Sequence, residues 1–197
     1  MIENMDLKQV KELRDLTGAS VMDCRNALEE AKGNFEKAQE ILKKKGLAIA
    51  DKKGARETKA GLIEAYIHAN GKMGVLVDLR CETDFVAQNP LFKELAHDIA
   101  LQIAAMAPLY VSPEEIPEDV VKKEKEAYLA ELKDSNKPEK IINQIVEGKL
   151  QKWYEEVCLL KQPFIKDQDE IVENVVKSYI AKIGENIKVY RFVRFEI

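Results

Sequence analysis

The residue types that usually carry covalent chemistry occur here at spacings that assemble no reaction centre. His68 and His97 fall on separate predicted elements, so neither a histidine metal set nor a nucleophile–His–acid arrangement has much to draw on. Cys24, Cys81 and Cys158 are odd in number, far apart and without a C-x-x-C pair, which indicates neither a disulfide framework nor a zinc site and fits a reducing compartment. Glu29-Glu30, Glu114-Glu115 and Glu155-Glu156 lie on charge-rich helical stretches, where a solvated face is the natural reading of paired carboxylates. No Ser or Cys sits in a nucleophile motif. There is no G-x-x-x-x-G-K-[ST] loop and no G-x-G-x-x-G after a strand, so the chain has no nucleotide cradle of its own. We therefore expect no catalytic residue, no metal site and no cofactor, and read the chain as a binding protein rather than an enzyme.

One segment does not fit a pure packing account. Cys81-Glu82-Thr83-Asp84-Phe85-Val86-Ala87-Gln88-Asn89 follows directly on a predicted strand and puts Phe85 in a connection. On one reading Thr83 or Asp84 caps a turn and Phe85 plugs the core, which local chemistry alone favours. On the other, Phe85 is an exposed aromatic anchor suited to a partner's apolar slot, with the Asp84 carboxylate beside it placed to disturb a nearby cation site. A second local feature is basic: Lys43, Lys44, Lys45, Lys52, Lys53, Arg56 and Lys59 face only Asp51 and Glu57. A solvated helix and linker is the plain reading, and a nucleic-acid contact the alternative.

The elements that must position these residues are legible from periodicity. Asp6 caps a first helix with apolar positions Leu7, Val10, Leu13 and Leu16 at helical spacing, ended by Thr17-Gly18. Ser20 caps a second, with Asp23 as an acidic capping-box partner and Cys24, Ala27, Leu28 and Ala31 facing inward. Asn34 caps a third, whose Phe35, Ala38, Ile41 and Leu42 face inward until Gly46. Residues 1–46 thus read as a three-helix module and 47–57 as a basic linker. The remainder, 58–197, reads as an α+β core. There, alternation from Leu62 to His68 and from Val75 to Arg80 about Asn70-Gly71 predicts a hairpin. Asn89-Pro90 opens a long helix with the stripe Leu91, Leu95, Ile99, Ile103 and Met106, expected to cover one face of the sheet. Two helical stretches around the turn residues 134–138 predict a projecting hairpin over about 117–160. Val121, Tyr128 and Leu132 on one arm could there meet Ile142, Ile145, Leu150 and Trp153 on the other, the alternative being that the stretches fold back on the core. Ile171 to Ile183 predicts a last helix, and Ile187 to Ile197 a third strand.

A composition of 46% hydrophobic and 34% charged residues, interrupted by only 9 Gly and 6 Pro, is that of a helix-rich globular protein rather than a disordered one. The net charge of −4 argues against a protein devoted to neutralising phosphates, so direct nucleic-acid binding is not expected. No apolar run is long enough to span a bilayer and no signal peptide is visible, so a cytoplasmic location and no membrane partner are expected.

The segments T-G-A-S-V-M-D-C-R-N-A-L, residues 17–28, and T-D-F-V-A-Q-N, residues 83–89, resemble the two signature segments of the elongation factor Ts family. Val146-Glu147-Gly148, Gln162-Pro163-Phe164 and the run from Ile180 to Ile187 resemble it further, in the same order. The resemblance implies an amino-terminal module similar to ubiquitin-associated domains, a core with a three-stranded antiparallel sheet packed by helices, and a helical hairpin insertion. Only one sheet is found, as in short forms of the family. It also implies a partner, elongation factor Tu, and an activity, exchange of that GTPase's GDP for GTP through a nucleotide-free complex. Carried over residue by residue, Arg14, Val21, Met22 and Asp23 match positions where the module grips the GTPase domain. Thr83, Asp84 and Phe85 match the segment that enters the partner near its magnesium site, with Phe85 wedging between helices. Gln102 stands where some members place a histidine that presses on the phosphate-binding loop region. Short forms dimerise through their sheets, and with no cysteine in the last strand a homodimer here is expected to be non-covalent.

Overall fold

Local capping chemistry sets out the first elements of the computed structural model, which describes residues 7–133 and 138–197. Helix α1, Leu7–Thr17, ends where the Gly18 N–H donates to the Arg14 carbonyl at 2.8 Å. Helix α2, Val21–Glu30, starts at Ser20, whose hydroxyl accepts the Asp23 N–H. Helix α3, Phe35–Lys53, starts at Asn34, whose side chain accepts the Lys37 N–H. Each cap replaces an acceptor that the first helical turn lacks. The three helices enclose Val10, Leu13, Cys24, Ala27, Leu28, Ala31, Ala38 and Leu42. The expected cap Asp6 and turn residues 134–137 lie outside the described residues.

Helix α3 does not stop at Gly46; it runs on to Lys53, into the stretch read as linker. Glycine inside a helix costs about 1 kcal/mol relative to alanine, so the sequence reads as a stop. The reason for glycine is close approach: a Cβ at residue 46 would stand 3.3 Å from the Ala181 Cβ of helix α8, Val172–Ile183. Ala50 is buried on the extended part, and Lys177 of α8 pairs with Asp51 at 2.8 Å.

Strands β1, Ala60–Ile67, and β2, Met73–Cys81, form the expected hairpin, with the Asn70 side chain accepting the Lys72 N–H at 2.9 Å across the turn. With β5, Ile187–Glu196, they make a three-stranded antiparallel sheet in the order β1-β2-β5. Val75, Val77 and Leu79 are buried on β2, as the alternation requires. At Gly61 a Cβ would meet the Leu79 carbonyl oxygen at 2.3 Å, so only glycine permits this approach of β1 to β2.

Helix α5, Pro90–Met106, has the expected extent but a shifted face: Leu91 and Met106 are exposed, whereas Phe92 is fully buried with Leu95, Ala96, Ile99, Ala100 and Ile103. The small residues Ala96 and Ala100 complete a stripe that the large ones alone mis-phase. Helices α6, Glu118–Leu132, and α7, Glu139–Val157, pair as the hairpin. Its arms are tied by Lys125 to Glu147 at 3.1 Å, by Lys149 to Glu131, and by Lys149 over the Tyr128 ring. α6 buries no residue and α7 buries Val146 and Leu150. Unexpected from sequence is a small antiparallel pair, β3, Pro163–Phe164, and β4, Asp167–Ile171.

By its internal contacts the chain divides into two units, one of Met1–Ile63, Leu79–Ala96 and Asn174–Lys188, the other of Glu64–Asp78, His97–Glu173 and Val189–Ile197. The first contains the amino-terminal helices, the segment after β2 and all but the first two residues of α8. Cys24, Cys81 and Cys158 are all reduced and buried, and burial pushes the Cys81 and Cys158 thiols each up to about 11. No helix among the described residues is long and apolar enough to cross a membrane.

Candidate partner-binding site

At the end of β2 the chain must turn out of the sheet, and Thr83 makes that turn by capping a one-turn helix, α4, Asp84–Ala87. Its hydroxyl accepts the Val86 N–H at 3.4 Å. Val86 and Ala87 point inward and are buried, so the core plug that local chemistry assigned to Phe85 is supplied by its two successors. Phe85 itself is 85% exposed, and Asp84 beside it is exposed as well. An aromatic ring left in water is held there at a cost in apolar exposure unless something covers it. Of the two sequence readings, the structure supports the exposed ring.

The turn is fixed from several sides. The Cys81 thiol donates to the Thr83 carbonyl at 3.2 Å. Glu185 accepts the Thr83 N–H and hydroxyl, while Glu82 accepts the Asn186 N–H at 2.6 Å and pairs with Arg56 at 3.5 Å. Thus Glu82, Glu185 and Asn186, none of them singled out from sequence, support the segment that carries Phe85. The available signal was the polar turn Gly184-Glu185-Asn186 between a helix and a strand, whose side chains need partners once the turn packs.

On the amino-terminal helices, Arg14, Val21 and Met22 are exposed, Met22 at 60%. Leu16 is exposed in the same region of sequence, so these positions offer apolar surface beside a cation. Asp23 is different. It accepts the Ser20 hydroxyl at 2.6 Å and pairs with Lys45, and these contacts, Lys45 first, hold its carboxyl below the usual carboxylate range. Its charge is therefore already engaged in closing the bundle.

Gln102 requires a correction. It is 0% exposed: its amide donates to Gln162 Oε1 and to the Pro163 carbonyl, both at 3.1 Å, and its oxygen accepts the Ile165 N–H at 2.8 Å. With donors and acceptor spent on the β3–β4 pair, its side chain is an internal tie for a hairpin that has only seven residues in its strands, and it leaves the contact set. The basic run is likewise used within the chain. Lys45 binds Asp23, Lys53 binds the Gly184 carbonyl, Arg56 binds Glu82 and Lys59 binds Glu57. Such pairing favours the solvated-helix reading over a phosphate-binding stripe.

The family profile described as Elongation factor TS matches residues 7–197. The chain is 58% identical over 190 residues to Elongation factor Ts of Fervidobacterium nodosum, covering 96% of each chain. It is 55% identical over 194 residues to Elongation factor Ts of Thermotoga maritima, covering 98% of this chain and 96% of that one. With Elongation factor Ts of Carboxydothermus hydrogenoformans it shares 54% identity over 190 residues, 96% of this chain and 88% of the relative. The match runs through the amino-terminal helices, the Thr83–Phe85 turn and the last strand alike, and the chain belongs to the elongation factor Ts family of translation elongation factors.

Proposed function

We propose that this protein is a guanine-nucleotide exchange factor for elongation factor Tu, acting in the cytoplasm without covalent chemistry and without direct contact to nucleic acid. It binds the nucleotide-free GTPase more tightly than the GDP form. By thermodynamic linkage it must then weaken GDP by the same factor, and where that weakening falls on the dissociation step GDP leaves faster. The observation that carries the reading is the exposed Phe85 ring on a turn clamped at Thr83, next to the exposed Asp84. The ring enters an apolar slot of the partner, and the Asp84 charge competes near the magnesium and phosphate site. Arg14, Val21 and Met22 on the amino-terminal helices are the docking contacts. Asp23 supports them by holding α2 to Lys45. The test is direct: elongation factor Tu loaded with fluorescent GDP should lose its label faster when this protein is added with excess unlabelled nucleotide. Unchanged release at saturating protein refutes the proposal.

The protein also pairs with itself, non-covalently. β5 is an edge of the sheet; Val193 and Phe195 on it and Ile197 just past it are exposed, as are Leu76 on the adjoining β2 and Ile67 on the far edge, β1. An edge with that much apolar surface is a pairing surface unless covered. Light scattering should give one and the same mass, that of a dimer, with and without reductant, because every thiol is buried. A monomer mass, or a mass that halves on reduction, contradicts this.

A further inference from the structure

The turn that presents Phe85 is gripped by Glu185, and the grip bears on more than the local fold. Glu185 lies in the connection between α8 and β5. The Thr83 N–H donates to its Oε2 at 3.0 Å and the Thr83 hydroxyl to its Oε1 at 2.7 Å. A carboxylate that takes both donors of one residue fixes that residue's backbone and side chain together. Thr83 is the residue from which α4 departs, so the direction in which Phe85 projects follows from where Glu185 stands. The neighbouring residue does the same for a second segment. Asn186 is buried; its N–H donates to Glu82, and its side chain donates to the Arg56 carbonyl at 2.7 Å and the Gly54 carbonyl at 3.3 Å. Lys53, at the end of α3, donates to the Gly184 carbonyl. Three consecutive residues therefore tie the end of α3 to the residues just before Phe85, all within one unit of the chain.

We infer that Glu185 is a positioning residue for nucleotide exchange, and that the connection 184–186 holds the Phe85 turn and the amino-terminal helices in one fixed mutual placement. This rests on the reading of Phe85 as the anchor. The two contact patches then reach the GTPase already set at the right separation, and binding does not have to order them. Glu185 touches no partner atom in this account; it acts through residue 85.

That dependence is what a double-mutant cycle measures. Glu185→Ala in the full chain should slow release of fluorescent GDP from loaded elongation factor Tu by about 10- to 100-fold, the upper figure being what a misplacement of about an ångström can cost. Glu185→Gln, which still accepts one Thr83 donor, should recover part of the rate, and it carries the cycle if the alanine variant does not fold. Phe85→Leu keeps part of the anchor, so that further losses stay measurable. Added to Phe85→Leu, the Glu185 change should cost clearly less than it costs alone, because a truncated ring gains less from correct aim. Losses that simply multiply mean that Glu185 acts through general stability, and they overturn the inference while leaving the Phe85 reading intact. Normal release with Glu185→Ala overturns it in the same way. Normal release with Phe85→Leu and Phe85→Ala removes the anchor itself and overturns both.

Discussion

Phe85→Ala should cut stimulated GDP release by at least about tenfold while leaving the melting temperature within about 2 °C of the parent. The asymmetry follows from exposure. A ring that is 85% exposed contributes little to its own core, so its removal forfeits little on folding. Against a partner it becomes a buried aromatic anchor, and truncating such an anchor costs on the order of 2–4 kcal/mol, or about 30- to 1000-fold. Had the ring been a core plug, the same change would cost about 3–5 kcal/mol of stability and the protein would melt many degrees earlier. Thermal melting and stimulated release, measured on one preparation, separate the two cases. A variant that melts early yet exchanges normally while folded sinks the wedge.

The double variant Arg14→Ala, Met22→Ala should show the opposite kinetic signature. Both side chains are exposed on helices whose core lies on the other face, so the bundle should stay folded. Losing a cation and a flexible apolar side chain from a docking surface should raise the concentration needed for half-maximal stimulation by about 10- to 100-fold. The rate at saturation should stay within about twofold, because the Phe85 turn is untouched. Titrating the factor against loaded GTPase gives both quantities. A fall in the saturating rate with an unchanged half-point would place these residues in the release step instead. Point changes suit this question better than removing residues 1–46, since that cut falls inside α3 and leaves Ala50 and Asp51 on a severed helix.

Where sequence and structure agree, a single local rule decides. Ser20 and Asn34 cap helices because their side chains reach the backbone three residues on, and Asn70-Gly71 turns because its neighbours alternate. Where they part, a distant residue has overruled the local rule. Gly46 reads as a stop until Ala181 is seen beside it. Residues 163–171 lack alternation, and their pairing is held by Gln102, some sixty positions earlier. The large residues alone mis-phase helix α5 because Ala96 and Ala100, too small to mark a stripe, are as fully buried as Leu95, Ile99 and Ile103. At the site, Thr83, Asp84, Phe85, Arg14 and Met22 could be named from motif resemblance. Glu185 and Asn186 lie in a run that also resembles the family and Glu82 borders another, but their role as supports could not be read, because a hydrogen bond across a hundred residues leaves no spacing to read.

The three buried thiols have a practical corollary. Burial raises all three, Cys81 and Cys158 to about 11, so at neutral pH they stay protonated, and inside the core they are also out of reach of a maleimide. Cysteines introduced at exposed positions outside the docking contacts, such as Glu30 and Gln88, would then be the sites that take a dye, with no need to strip the native cysteines from the interior. Paired labels at those two positions would turn the distance between the helical module and the Phe85 turn into a fluorescence signal, readable in the free protein and again as the GTPase docks.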